Sequence, residues 1–491
     1  MTDEVELKFD IEPACAERLR AAPALAGAEA RVEQSESIYF DTPDQALRRA
    51  GVSLRVRRSG GRIVQTVKRK KGDAAGLFVR EEWEAELQRL DLDPGAFTDA
   101  VARRLLARFD RAALAPVIRT AFTRTAWEVT HDGSRIEAVL DEGVVKAGDD
   151  SAPLTELELE LIEGKPAALF GLAGQIGAAA PLWLGARSKN ERGYALLEGR
   201  LGCPAKAVPV VLAAEDSEAD AFRKIALACL RHYRLNEIAL LSGRDPDALH
   251  QARVALRRLR SALTLFRSTT KGSDYESMRE ELRWYAGQFG EARNLDVLLA
   301  GELVPDDASL HGAIVAERER AYDRVVAALH SDRARALMLR LASWIELGGW
   351  ARKRRAGGKV SELAARRLER QWRKVCRRGA ELATLEPDAA HQLRIDIKKL
   401  RYAAEFLTSL YPGKTLAGRS RRFVAALKDL QERLGVANDA RVAREIVARL
   451  SPGREDEIAI PDVASEDAEK AYRKAASAAG YWLPVAQDEA A

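Results

Sequence analysis

Two residue patterns in this sequence carry chemistry. The first begins at the N-terminus, where Glu4, Glu6 and Lys8 alternate with Val5, Leu7 and Phe9. The same alternation returns at Arg55 and Arg57, at Thr66 and Lys68, and through Arg80, Glu82, Glu84 and Glu86. It returns again at Glu137 to Asp141, and at Glu156, Glu158 and Glu160. Side chains two apart on a strand share a face, so each stretch is charged on one face and apolar on the other. Glu4, Glu6, Glu158 and Glu160 are hard oxygen ligands of the kind that suit Mg²⁺ or Mn²⁺. Lys8, Arg55, Arg57 and Lys68 suit phosphate oxygens. Carboxylates beside Lys and Arg, with no His or Cys among them, point to metal-assisted phosphoryl chemistry rather than acyl transfer.

The second pattern occurs twice. His250, Gln251, Arg253, Arg257, Arg258, Leu259 and Arg260 are matched by His391, Gln392, Arg394, Lys398, Lys399, Leu400 and Arg401, 141 residues later. On a helix advancing roughly 100° per residue, His250, Arg253, Arg257 and Arg260 fall within an arc of about 80°. Ala252, Leu256, Leu259 and Leu263 fall on the neighbouring arc. A lone basic stripe reads as a solvated face. The same stripe twice, with two of the chain's six His at matched positions, reads as an anion site.

The elements that must position these residues differ between the two halves. Charge at every second position over six strands leaves an apolar face that needs a core and a charged face that needs water or counter-charge. An open sheet meets this with a solvent face. A closed barrel meets it by turning the charged faces inward around a wet lumen. Residues 1–202 are therefore expected to be mostly strand, with helical breaks near Pro13–Ala24 and Asp99–Leu114. A Pro- and Ala-rich linker, 203–216, follows. From 217 to 485 the period is helical, broken by Gly and Pro, and includes candidate helices Asp247–Arg267, Asp388–Ser409, Ser420–Leu434 and Asn438–Leu450. Two similar bundles of about four helices each are expected.

Composition agrees with this division. The chain has 491 residues, is 47% hydrophobic and carries a net charge of +5. Up to Pro204 there are 29 Lys and Arg against 33 Asp and Glu; beyond it there are 50 against 41. A polyanionic partner is expected for the basic half. Four scattered Cys show no metal-ligand spacing, no apolar run is long enough for a membrane span, and the acidic start has no signal-peptide character. A cytoplasmic protein is expected. Few aromatics lie among the basic residues, which argues against stacking on nucleic acid. Clusters at Arg352 to Arg355 and Arg366 to Arg378 read as a solvated loop and as either an exposed helix face or an extension of the anion surface.

The front half resembles the CYTH superfamily, the triphosphate tunnel metalloenzymes. Glu4-x-Glu6-x-Lys8 is similar to its E-x-E-x-K signature. Arg55-x-Arg57, Lys68, Glu82-x-Glu84, Arg124, Leu140-Asp141-Glu142-Gly143, Glu156-x-Glu158-x-Glu160, Ser188-Lys189 and Arg192-Gly193-Tyr194 follow in order. The resemblance implies an eight-stranded antiparallel tunnel that binds linear triphosphate and a divalent metal. It assigns Glu4, Glu6, Glu158 and Glu160 to metal, with Glu82, Glu84 and Asp141 assisting. Which of Glu156, Glu158 and Glu160 touches metal is left open. It assigns Lys8, Arg55, Arg57, Lys68, Arg124 and Lys189 to the phosphates. Lys8 or Lys68, with its pKa depressed by neighbouring cations, is a candidate proton acceptor.

The back half resembles the CHAD family, whose members pair a helical fold of two pseudo-symmetric bundles with inorganic polyphosphate binding. This assigns His250, Arg253, Arg257, Arg260, His391, Arg394, Lys398 and Arg401 to polyphosphate, with Arg258 and Lys399 beside them. The whole is similar to bacterial CYTH–CHAD inorganic triphosphatase-like proteins: an α+β chain, the tunnel first and the helical domain second. Metal-dependent hydrolysis of inorganic triphosphate is the expected activity, with association with polyphosphate granules. The alternatives are a non-catalytic granule-binding protein, or a tunnel acting on thiamine triphosphate or ATP.

Overall fold

The computed structural model describes residues 2–70, 76–301, 307–352, 357–380, 382, 385–460 and 466–483. The chain forms two compact units. The first comprises Met1–Ala205 with Arg234–Ser242 and His330–Leu347; the second comprises Lys206–Tyr233, Gly243–Leu329 and Gly348–Ala491.

The first unit is built on strands β1 (Thr2–Asp10), β2 (Arg31–Asp41), β3 (Val52–Ser59), β4 (Arg62–Lys70), β5 (Leu77–Leu87), β6 (Ala115–His131), β7 (Ser134–Ala147) and β8 (Asp150–Glu163). They run antiparallel in the order β5-β4-β3-β2-β6-β7-β8-β1, and β1 pairs back onto β5 to close an eight-stranded barrel. A short β9 (Trp183–Leu184) adds to β1. Residues directly opposite across strands share a face. Arg124 lies opposite Asp141 and Asp141 opposite Glu156; Lys8 lies opposite Glu158, Glu6 opposite Glu160, and Lys68 opposite Glu82. The register thus turns the alternating charges to one side, into the barrel.

β2 and β6 were not marked by alternating charge, and the register shows why. Their inward positions through the middle of the barrel are Ser35, Ser37 and Tyr39, and Thr120 and Phe122; charge in this phase is confined to Arg124 and to the exposed Glu33 and Glu128. Outward residues Ile38, Phe40, Val52, Leu54, Val56, Val67 and Trp83 form a core with Phe97, Ala102, Leu105 and Leu106. Burying each such large apolar side chain contributes about 1.5–3 kcal/mol.

Five short helices dress the barrel: α1 (Ala16–Arg20), α2 (Ala46–Arg49), α3 (Ala100–Leu106), α4 (Pro166–Ala179) and α5 (Lys189–Leu197). Asp99 caps α3, its Oδ1 accepting from Val101 N at 2.7 Å. The helix α4 was missed by periodicity because apolar residues lie all round it, with Leu169, Leu172, Ala173 and Ile176 fully buried. Ser188 and Glu191 form a capping box at the start of α5. Gly193 lets α5 lie close against β6: a methyl there would sit 2.5 Å from Ile118 Cγ2.

The helices that follow are α6 (Glu218–Ser242), α7 (Pro246–Leu265), α8 (Arg267–Thr270), α9 (Ser273–Gln288), α10 (Gly290–Ala300), α11 (Ala308–Leu329) and α12 (Asp332–Leu347). They are succeeded by α13 (Val360–Gly379), α14 (Pro387–Leu407), α15 (Lys414–Leu450) and α16 (Glu466–Ala478). No helix among the described residues is long and apolar enough to cross a membrane. The motif helices α7 and α14 pack on each other. Asp245 caps α7, accepting from Asp247 N at 2.7 Å, with Pro246 at the first helical position. One expectation is corrected. Ser420–Leu434 and Asn438–Leu450 are parts of a single 37-residue helix, α15. Gly435 does not break it; a methyl there would lie 3.2 Å from Arg394 Nη2, so the glycine makes room for that side chain.

Candidate functional site

The barrel lumen is a network of buried ion pairs. At its centre is Lys189, delivered by the first turn of α5. Its ammonium lies 2.8 Å from Asp141 and 3.0 Å from Glu158, and pairs with Glu156. Burial alone would push this ammonium down; Asp141, Glu156 and Glu158 overcome that and hold it above its ordinary value. Arg124 grips Asp141 with both arms, Nε to Oδ1 at 2.8 Å and Nη2 to Oδ2 at 2.7 Å. Asp141, Glu156 and Glu158 each place an oxygen within 4.8 Å of the others. Burial pushes all three up. Lys189 and Arg124 bring Asp141 below its ordinary value, and Lys189, Lys8 and Arg124 bring Glu158 far below. Glu156 stays raised, by burial and by Glu158 beside it.

A second group of carboxylates lies on β1 and β8. Lys68 reaches Glu4 at 2.6 Å and Glu82 at 3.2 Å. Lys8 lies 2.9 Å from Glu6 and pairs with Glu158. Arg80 donates to Glu6 at 2.6 Å. Glu160 makes no ion pair among the described residues. Burial, then Glu4, Glu6 and Glu158, push it up to about 7. Of this group Glu160 is the carboxylate left without an ion pair among the described residues and so open to a hard cation, whereas Lys189 already supplies charge to Asp141, Glu156 and Glu158.

The cationic side of the lumen is formed by β3. Arg57 donates to Ser37 Oγ at 3.1 Å and makes no ion pair among the described residues. Burial, Arg55 and Arg124 push it down to about 10. Arg55 lies 3.8 Å from Glu82 and also hydrogen-bonds Tyr39. Burial would raise the Tyr39 phenol, but Arg55, Arg57 and Lys189 bring it below its ordinary value.

Most sequence-selected residues therefore meet in one lumen. Glu84 is the exception: it is exposed and, among the described residues, accepts from Thr66 Oγ1 at 3.3 Å. The expectation of a depressed Lys8 is also corrected. Burial pulls its pKa down, yet Glu158 and Glu6 more than restore it, so Lys8 stays protonated. Sequence reasoning did not assign Arg80, Tyr39 or Ser37. Arg80 was readable from its phase with Glu82; the uncharged Tyr39 and Ser37 gave no such signal.

In the helical unit, α7 and α14 bring their stripes into one cluster. Arg253 makes no ion pair among the described residues and is pushed down to about 10 by burial, Arg257 and Arg293. Lys398, from the other helix, is pushed down to about 7 by burial, then Arg394 and Arg257, with Asp439 opposing and Arg253 adding. His250 falls to about 4 through burial, Arg293 and Arg257. Arg394 lies 4.0 Å from Asp439. Arg257 Nε donates to Tyr402 Oη at 2.7 Å. Four motif residues are committed or placed differently. Arg258 is buried, bound to Glu405 at 2.7 Å and covered by Phe406. Arg401 pairs with Glu405 and donates to Gln431 at 3.1 Å. His391 and Lys399 are exposed. The repeat also diverges beyond the helices: Asp296 is buried between Arg318 and Tyr322, at 2.7 and 2.8 Å, whereas Asp439 stays open.

A closed barrel with a charged lumen, followed by a helical unit built on a duplicated basic motif, defines a two-domain class. Residues 2–194 match the family model of the CYTH domain and residues 224–448 that of the CHAD domain, so the chain is a CYTH domain followed by a CHAD domain. It is 29% identical over 202 residues to the inorganic triphosphatase of Haemophilus influenzae, a match covering 40% of this chain and 55% of the relative. The match thus spans little more than half of that relative's length. Among solved structures, the CHAD domain of the plant Ricinus communis is similar at 29% identity, covering 56% of this chain and 90% of that one, with a TM-score of 0.47. A Hippeastrum protein described as an adenylyl cyclase with a dominant triphosphatase activity shares 21% identity over 40% of this chain and 97% of its own, with a TM-score of 0.33.

Proposed function

We propose that the barrel hydrolyses inorganic triphosphate with the help of a divalent cation, and that the α7–α14 cluster holds inorganic polyphosphate. One observation carries the first part. The lumen contains a cation, Arg57, and a carboxylate, Glu160, that make no ion pair among the described residues. A ligand that is itself a salt of phosphate and metal satisfies both. The other lumen charges already balance one another in pairs, so a polyanion needs added positive charge to enter. Glu4, Glu6, Glu158 and Glu160 would hold Mg²⁺ or Mn²⁺, with Asp141, Glu82 and Glu156 behind them. Such an ion, when bound, polarises phosphoryl oxygens and supplies a nucleophilic water.

The chain's own residues bind and orient. Arg57, Arg55, Lys68, Arg124 and Lys8 present donors along the lumen to successive phosphates. Lys8, kept protonated, holds oxygens rather than taking a proton. Lys189 holds Asp141 and Glu158 ionised and fixes all three carboxylates in place, while Glu156 stays raised to about 7. Inorganic triphosphate is favoured over nucleoside or thiamine triphosphates because the front half is similar to an inorganic triphosphatase.

For the helical unit, Arg253, Arg257, Arg394 and Lys398 converge from both motif helices, and the depressed pKa values of Arg253, Arg394 and Lys398 recover when a polyanion arrives. Polyphosphate repeats charge without sequence, so mobile cations suffice to track it. This reading places the protein in the cytoplasm, on polyphosphate where granules form. The test is phosphate release from tripolyphosphate, ATP, thiamine triphosphate and long-chain polyphosphate, with and without Mg²⁺, beside binding of long-chain polyphosphate. Metal-dependent release confined to tripolyphosphate, with salt-sensitive polyphosphate binding, is expected. Release from ATP or thiamine triphosphate at an equal rate contradicts the substrate assignment.

A further inference from the structure

The basic residues of α13 divide into two sets. Arg373 is held by Glu369 at 2.5 Å, Lys374 by Asp396 at 2.8 Å, and Arg378 by Asp396. Arg366, Arg367 and Arg370 instead line a cavity of about 570 Å³ with Glu218, Glu362, Ser268 and Gly358. Within it, Glu218 is buried, held by Thr269 Oγ1, and lies 3.6 Å from Arg366. Glu362 is 3.9 Å from the same Arg366. Both carboxylates are thus directed to one guanidinium. Among the described residues Arg367 donates to the neutral Ser268 Oγ, at 2.9 Å. Arg370 is exposed and makes no ion pair among the described residues. Arg367, which also feels Glu218, and Arg370 therefore face the cavity beside the Ser268 hydroxyl with no carboxylate in ion-pair contact among the described residues.

The cavity, lined in part by Ser268 just beyond α7, adjoins further basic residues of α7 and α9. Arg260, the outermost residue of the α7 stripe, is crowded by Arg283 and Arg279 of α9 as well as by Arg257. Arg279 and Arg367 both bear on the Tyr275 hydroxyl, which donates to Leu263 O at 3.2 Å. Arg257, Arg260, Arg283 and Arg279 thus crowd one another, with Arg279 also held by Glu276 at 2.6 Å, and Arg279 and Arg367 both act on Tyr275.

We infer that the Arg367–Arg370 cavity is a second phosphate-binding subsite, which engages a polyphosphate chain after it leaves the α7–α14 cluster. The inference rests on the polyphosphate reading of that cluster and extends it to chain length. A tripolyphosphate occupies the cluster alone. A long chain spans both, and the second contact is intramolecular once the first is made.

The test uses the full chain without divalent metal, probed with tripolyphosphate and with long-chain polyphosphate across a salt series. For Arg367→Ala/Arg370→Ala, long-chain affinity is expected to fall about tenfold and its salt slope by roughly 0.7 per cation removed, with tripolyphosphate binding unchanged. Arg370→Glu alone, at an exposed position, is expected to weaken long-chain binding in the same selective way. The comparison is Arg253→Ala/Arg394→Ala, expected to weaken both ligands. Loss in that comparison variant alone overturns the second subsite and leaves the motif cluster standing. Loss in neither overturns both.

Discussion

Lys189 and Lys398 are both buried lysines, and their surroundings give them opposite properties. Lys189 is 4% exposed among three carboxylates and is held charged. Removing one partner of a buried ion network leaves the others uncompensated, at a cost of about 3–5 kcal/mol. Lys189→Met is therefore expected to lower stability in urea unfolding by that order, and Mg²⁺ to restore part of it. An unchanged midpoint would show that the carboxylates do not depend on Lys189. Lys398 sits among Arg394, Arg257 and Arg253, facing Asp439, and its pKa is about 7 rather than 10.5. Its folded pKa is below its unfolded one, so the unfolded chain binds more protons between these values. Stability of the free protein is expected to rise with pH across that window. A bound polyanion reverses the shift, so binding takes up a proton above pH 7, and polyphosphate affinity is expected to fall as pH rises from 7 towards 10. Titration at several pH values checks this; Lys398→Met should flatten the dependence, and a flat profile in the parent chain contradicts it. Both lysines were legible in the sequence as cations on a face. Their partners were not, because the pairs cross strands and helices far apart in the chain.

At the scale of elements, the period-two charges predicted a barrel because no other arrangement hides six charged faces. The strands missed, β2 and β6, are those whose inward faces are mostly uncharged. The missed helix α4 is apolar all round and carries no amphipathic signal. The helix α5 matters most to the site, since its first residue is Lys189. Its approach depends on Gly193 against Ile118. Gly193→Val forces overpacking, which costs about 1–3 kcal/mol. It is expected to lower the thermal midpoint and to reduce triphosphate turnover through displacement of Lys189. A variant with parental stability and turnover would show that α5 does not need this contact. Gly435 teaches the converse: read as a helix break, it is a helical residue placed to admit Arg394.

At the scale of the whole molecule, the duplicated motif was legible as an internal repeat, and the change from period two to helical period marked the change of architecture. The convergence of both motifs into one cluster was not legible, because it depends on how α7 packs on α14. Nor was the withdrawal of Arg258 and Arg401 into pairs with Glu405, a residue outside the motif. The central claim is that the barrel is a metal-dependent triphosphatase whose carboxylates on β1 hold the ion. The most direct test is phosphate release from tripolyphosphate with Mg²⁺, comparing the parent chain with Glu4→Gln/Glu6→Gln. The double variant keeps side-chain size and one acceptor oxygen at each position, while removing the charge and the second oxygen that Glu4 offers Lys68 and Glu6 offers Lys8 or Arg80. Release that requires Mg²⁺ in the parent and falls at least about a hundredfold in the variant is the predicted result. Equal release by both proteins, or none by the parent, would contradict it.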